Sequence, residues 1–225
     1  MYYDLHIHSA LSPCSDDDMT LNNICHMAML IGLDVIAITD HNSCKQLLSL
    51  GEITYPSLEV LLGVEIQTSE KIHLLAYFTN MKQIKKMQDY LDLHLIKMKN
   101  DTYYYGNQWL FDQEDQIIGQ ESCLLMNSLD VDASEVSKFV HQLKGTIILA
   151  HPYRKYGYFT IYPQIQEDLM FEGLEYSSIE ERKEYEAKFV HKVFLKNSDA
   201  HHLYALSDKE NELTIEQLNI LNGGV

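Results

Sequence analysis

The sequence predicts an α/β domain built on a mostly parallel sheet. Three observations carry this: a strand–helix–strand unit opens the chain, six or seven strand candidates alternate with helices, and no repeat or composition break divides the 225 residues. Residues 2–7 are a strand candidate, rich in aromatic and β-branched side chains. Thr20 then offers an N-cap to a helix with Leu21, Ile24, Ala28 and Ile31 at helical spacing, and Gly32 stops it. Residues 34–39 (DVIAIT) form an apolar run suited to a sheet covered on both faces.

Residues 60–66 and 72–78 are the next strands, joined by a polar turn at Ser69. A helix follows over 82–99, with Ile84, Met87, Leu91 and Leu95 on one stripe. Residues 108–119 resemble a small two-stranded β-ribbon insertion in an otherwise single domain, 1–225. A helix over 134–144 closes at Gly145 before the strand TIILA. Short strands at 174–176 and 193–196 flank a helix over 179–192, and Thr214 caps a last helix, IEQLNIL. An α/β barrel and a doubly wound sheet both satisfy this order.

Composition narrows the partners. Seventeen basic against 33 acidic residues give a net charge of −16. Such a surface repels phosphate backbones, so stable nucleic-acid or membrane binding is not expected. No long apolar run or secretory leader is visible, and Cys14, Cys25, Cys44 and Cys123 lack a paired spacing, which points to reduced thiols in the cytoplasm.

The functional signal is the position of the histidines. His6 and His8 end the first strand, Asp40 and His41 the second, and Glu65 lies on the third. TIILA runs into His151, and the last strand runs into Asp199 and His201. Strand ends converge on one face of a parallel α/β fold, so these groups are candidates for one shared metal site. Alternate strand residues share a face, which lets His6 and His8 grip the same ion. Glu65 and His73 point the same way only when paired residue numbers sum to an even value, which pairing Gln67 with His73 and closing the hairpin at Thr68 and Ile72 satisfies. His26, His94, His141 and His191 fall in predicted helices and are read as ordinary surface histidines.

DLHIHS, ITDHNS, GVEI with IHLLAYF, AHPYR and SDAHH, in this order from residue 4 to 201, resemble the PHP (polymerase and histidinol phosphatase) family. The resemblance implies a distorted, TIM-like seven-stranded β/α barrel, two to three divalent ions and phosphoester hydrolysis. It implies that His6, His8, Glu65 and Asp199 hold one ion and that His41 and His201 help hold a second. His73 and His151 would hold a third, with Glu65 bridging. Many members continue the first motif with SxxSDG or a histidine that completes the second site. Here it reads SALSPCSDDDMT, with Pro13 in the usual aspartate's place. Counting back from Thr20 gives that role to Asp16, with Asp17 or Asp18 as alternatives and the Cys14 thiolate behind them.

Imidazole and carboxylate donors suit zinc first, with manganese or iron as alternatives. The expected reaction is attack by a metal-bound hydroxide on a small phosphorylated metabolite or nucleotide, without a covalent enzyme intermediate. Asp40 is expected to accept a proton from an imidazole or from the attacking water. Arg154 is the expected phosphate clamp, Lys45 a weaker second, and Tyr153 and Tyr156 candidate wall residues. The competing readings are an amidohydrolase-like metal hydrolase and a non-catalytic metal-binding regulatory module.

Overall fold

Seven strands make one curled sheet: β1 (Tyr3–Ile7), β2 (Val35–Ile38), β3 (Glu59–Gln67), β4 (His73–Phe78), β7 (Thr146–Leu149), β8 (Gly173–Glu175) and β9 (Val193–Leu195). Two further strands, β5 (Trp109–Phe111) and β6 (Ile117–Gln120), pair antiparallel as a separate sheet. The helices are α1 (Leu21–Ile31), α2 (Lys45–Leu50), α3 (Met81–His94), α4 (Thr102–Tyr105), α5 (Ala133–Gln142), α6 (Ile179–Lys188) and α7 (Ile215–Leu221). The computed structural model describes residues 1–50 and 54–223.

Within the main sheet β1, β2 and β3 run parallel, β4 is antiparallel to both its neighbours, and β7, β8 and β9 are again parallel. The start of β4 therefore lies at the same edge as the ends of the other strands. The predicted hairpin register holds: Gln67 pairs with His73 and Glu65 with Leu75, and the Thr68 amide donates to the Ile72 carbonyl at 2.9 Å.

The expected closed barrel is corrected to an open half-barrel. No ladder joins β9 to β1; one bridge, Ile7 to Ala200, and side-chain hydrogen bonds span the gap. Asn197 Oδ1 accepts from the Leu5 amide at 2.9 Å, Tyr3 Oη from the Lys196 amide at 3.0 Å, and the Asp4 carboxylate from both donors of Ser198. β9 is only three residues long, so it leaves backbone groups that side chains satisfy instead.

Two apolar layers result. The inner one holds Tyr3, Leu5, Val35, Ala37, Leu61, Leu75, Tyr77, Ile148, Val193 and Leu195, plugged at one end by Leu213, Leu218 and Leu221 around α7. The outer one packs Ile36, Ile38, Val64, Ile66, Leu74, Ala76, Ile147 and Leu149 against α1, α3 and α5. Thr20 caps α1 through its side chain, and Gly32 (φ 88°) takes the left-handed turn that ends it. Two predicted helices stop early. α3 ends at His94 because Leu95 turns extended and bridges Leu129. α6 ends at Lys188, which leaves His191 in a turn at φ 63° rather than in the helix. Among the described residues no helix is long and apolar enough to cross a membrane.

Candidate metal centre

On β2, β3, β4, β8 and β9 the inner face is the odd-numbered one, and His41, Glu65, His73, Glu175 and Asp199 continue that phase to the sheet edge. β1 and β7 break phase. Tyr3 and Leu5 face inward, so simple alternation would send His6 and His8 outward. One extra residue between Asp4 and Ile7 in the pairing with β2 shifts the phase, putting Ile7 in the outer layer and both imidazoles inside. His151 follows inward-facing Ala150, and its left-handed backbone (φ 30°) returns its ring to the cavity. Asn42 and Asp199 also have positive φ at this edge, so strain collects where the side chains converge.

Glu65, 1% exposed, is the hub. Its Oε1 lies 2.8 Å from His73 Nδ1, 3.2 Å from His151 Nε2 and 3.3 Å from His6 Nε2. Its Oε2 lies 2.8 Å from His41 Nδ1 and 3.5 Å from His8 Nε2, with no donor aligned on it. Asp199 Oδ1 stands 3.3 Å from His6 Nε2 and 3.4 Å from His8 Nε2. Three overlapping groups each bring their ligand atoms within 4.8 Å: His6, His8 and Asp199; His8, His41 and His201; His41, Glu65 and His73.

Hydrogen bonding sets the tautomers. Glu175 Oε1 holds His6 Nδ1 at 3.0 Å, which makes that nitrogen the N–H. Ser12 Oγ donates its one hydrogen to Asp40 at 2.7 Å, so it accepts from His8 Nδ1 at 3.0 Å. Both Nε2 atoms are then lone-pair acceptors, and they face each other at 3.2 Å. Without a cation a proton has to sit between them. His6 shows this: burial opposes its charging, but Glu175, Asp199 and Glu65 outweigh that and hold its pKa well above the ordinary value. Burial, His41 and His201 push His8 well below it. Glu65 is raised by burial but lowered further by His73, His6 and His41, so it stays ionised.

These donors fit a divalent ion. A tetrahedral ion about 2.0–2.1 Å from each donor spaces the donors about 3.3 Å apart, matching the 3.2–3.4 Å separations among His6 Nε2, His8 Nε2 and Asp199 Oδ1.

Not every predicted site residue comes here. Asp16 is exposed and its carboxylate pairs with His202 Nδ1 at 2.6 Å; Asp17 bonds Asn107 at 3.0 Å. The thiol of Cys14 lines the cleft instead, beside His41 and His201; burial raises its pKa, but the two imidazoles bring it to about 7. Lys45 points elsewhere, held by Glu121 at 2.5 Å and Asp92 at 3.3 Å, because α2 packs its side chain against α3 and the segment after β6. Asp40 is buried under three hydrogen bonds from Ser9 and Ser12, so it reaches His8 only through Ser12. Arg154 stands half-exposed at the mouth, 3.9 Å from Asp199, and Tyr156 stacks on His73 at 4.9 Å. Glu175 was missed, although a carboxylate at the end of the predicted strand 174–176 obeys the same positional rule. Besides His6, it binds Asn197 Nδ2 at 2.7 Å and the His151 amide at 2.8 Å.

A family profile described as the PHP domain matches residues 4–180. An uncharacterized protein of Methanocaldococcus jannaschii is 32% identical over 89 residues, which is 39% of this chain and 11% of that protein. Among solved structures, the lesion-specific endonuclease Q of Pyrococcus furiosus superposes with a TM-score of 0.71 at 18% identity over 99% of this chain. The chain spans about half the length of that enzyme (56%). An endonuclease Q complex with a 27-mer duplex, an abasic lesion at its active site, gives 0.66 at 20% identity, covering 89% of this chain and 49% of that one. A Bifidobacterium adolescentis protein described as a metal-dependent phosphoesterase gives 0.61 at 16% identity, covering 97% and 94%.

The endonuclease similarities overturn the expectation of a small phosphorylated substrate and no nucleic-acid binding. Net charge sums over the whole surface, whereas a nucleic acid meets one face. The clefts at this edge are lined by Arg154, Lys155 and Lys196 as well as by Glu65, Glu175, Glu181 and Asp199, so the local charge is mixed and does not follow the acidic total.

Proposed function

The chain belongs to the PHP domain family, and from that premise we propose that it is a metal-dependent hydrolase of phosphoester bonds, with nucleic-acid phosphodiesters within its substrate range. The observation that carries this is the approach of the His6 and His8 Nε2 atoms to 3.2 Å beside Glu65 and Asp199, with both Nδ1 atoms already held by Glu175 and Ser12. A divalent cation would satisfy both nitrogens in place of the proton they otherwise share. His6, His8, Glu65 and Asp199 would hold one ion, His41 and His201 a second, and His73 and His151 a third with Glu65. Ions bound there supply Lewis acidity toward phosphoryl oxygens and lower the pKa of water from 15.7 toward about 7.

The remaining steps belong to side chains. Glu175 and the Asp40–Ser12 pair fix the rings of His6 and His8 so that their Nε2 atoms face the cleft. Arg154, half-exposed at the mouth, can offer a two-pronged donor to phosphoryl oxygens entering the open cleft of about 310 Å³. The test is elemental analysis followed by assays on aryl phosphomonoesters, aryl phosphodiesters, an abasic-site duplex, amides and lactones. Metal-dependent cleavage of phosphoesters is expected, and Arg154→Ala should weaken inhibition by inorganic phosphate. Cleavage confined to amides or lactones would replace this reading with an amidohydrolase. Bound ions without any hydrolysis would leave a regulatory module.

A further inference from the structure

The loop between β1 and α1 carries a donor that the function has not used. It turns twice, through the Ser12 amide to the Ser9 carbonyl and the Ser15 amide to the Ser12 carbonyl, both at 3.0 Å. Its far end is tied by the Asp16 amide to the His201 carbonyl at 3.0 Å. This path sets Cys14 in the wall of the same cleft that His41 and His201 line. The three aspartates Asp16, Asp17 and Asp18 are all exposed.

The neighbouring nitrogens are available. His201 Nδ1 bonds the Asp199 carbonyl oxygen at 2.8 Å, and a carbonyl only accepts, so Nδ1 carries the hydrogen and Nε2 the lone pair. The His8 ring stacks on that of His201 at 4.3 Å. Behind His41 lies Glu65 Oε2, buried and without an aligned donor, a second sign that positive charge is missing here. The segment after α3 locks the loop: the Trp109 amide donates to the Ala10 carbonyl at 2.9 Å, and Pro13 packs on Gly106. A Cβ on Gly106 would lie 2.1 Å from the Pro13 oxygen, so the loop approaches this closely only because glycine stands there.

We infer that Cys14 is a thiolate ligand of the second ion, with His41 and His201, in the place where an aspartate or histidine was expected. This rests on reading the cluster as a metal centre. A sulfur donor turns that position from a hard, oxygen-completed site into a borderline one, which selects zinc, cobalt or iron over magnesium and manganese.

Cobalt(II) added to the metal-stripped full chain tests it, read by absorption spectrum and by ions bound per chain. A near-ultraviolet sulfur-to-cobalt charge-transfer band is expected in the parent and in Cys123→Ser. It should be lost in Cys14→Ser and in Cys14→Asp, while Cys14→Asp keeps the parent's cobalt count and so shows that the pocket is intact. Visible cobalt bands without the charge-transfer band in the parent would overturn the ligand assignment and leave the metal centre standing. So would an undiminished charge-transfer band in Cys14→Ser. No cobalt bound at all would end both.

Discussion

The histidines of this protein fall into two regions that use the same side chain in opposite ways. On the outer helices His94 and His141 each meet one carboxylate, Asp130 at 2.7 Å and Glu172 at 2.9 Å. Each pair is satisfied by itself and partly hydrated. At the sheet edge His6, His8, His41, His73, His151 and His201 crowd around Glu65 and Asp199. There Nε2 atoms oppose one another, and buried acceptors such as Glu65 Oε2 and His151 Nδ1 have no donor. A histidine paired with an acid fills its own needs; a histidine facing another histidine needs an ion.

The contrast can be broken most severely at its hub. Glu65→Gln should cut bound metal sharply and bring hydrolysis to background, whereas His94→Ala should keep the parent's metal content; equal metal in both variants would erase the distinction. Glu175→Gln is expected to lower metal affinity or turnover by about 10–100-fold, since it keeps a partner for His6 but removes the charge. A titration with zinc would show no change if Glu175 only fills space. Zinc at about 100 times its dissociation constant should stabilise the fold by about 2.7 kcal/mol per independent site, equally in the parent and in His141→Ala. Thermal midpoints that ignore zinc would count against the centre.

The smallest effect lies outside. The hydrogen bond to Glu172 raises the His141 pKa above 6.5, so the folded state holds this proton more tightly than the unfolded one. Its stabilisation is complete below about pH 6.5 and is lost as pH rises through the folded-state pKa. The pair is partly exposed, so the difference is below about 1 kcal/mol. Urea midpoints of the parent should therefore fall more than those of Glu172→Gln between about pH 6 and pH 9; parallel slopes would remove the pair's contribution.

Much of the centre was legible because strand ends converge whatever the details of the loops. The β3–β4 register followed from requiring Glu65 and His73 to share a face, and the Thr20 and Thr214 caps followed from local chemistry. Asp16 and Lys45 were misplaced for a common reason. Both were located by counting along the chain, and a loop or a short helix can aim a side chain either way at the same count.

By itself the sequence determined which face several of the donors occupy, since a period of two carries Glu65 and His73 inward with the apolar residues of their own strands. Only the tertiary structure decided the exceptions. The extra residue in β1, the left-handed turn at His151 and the Cys14 loop pressed against Gly106 each depend on a neighbouring segment, distant in sequence, that leaves the backbone one way to fit.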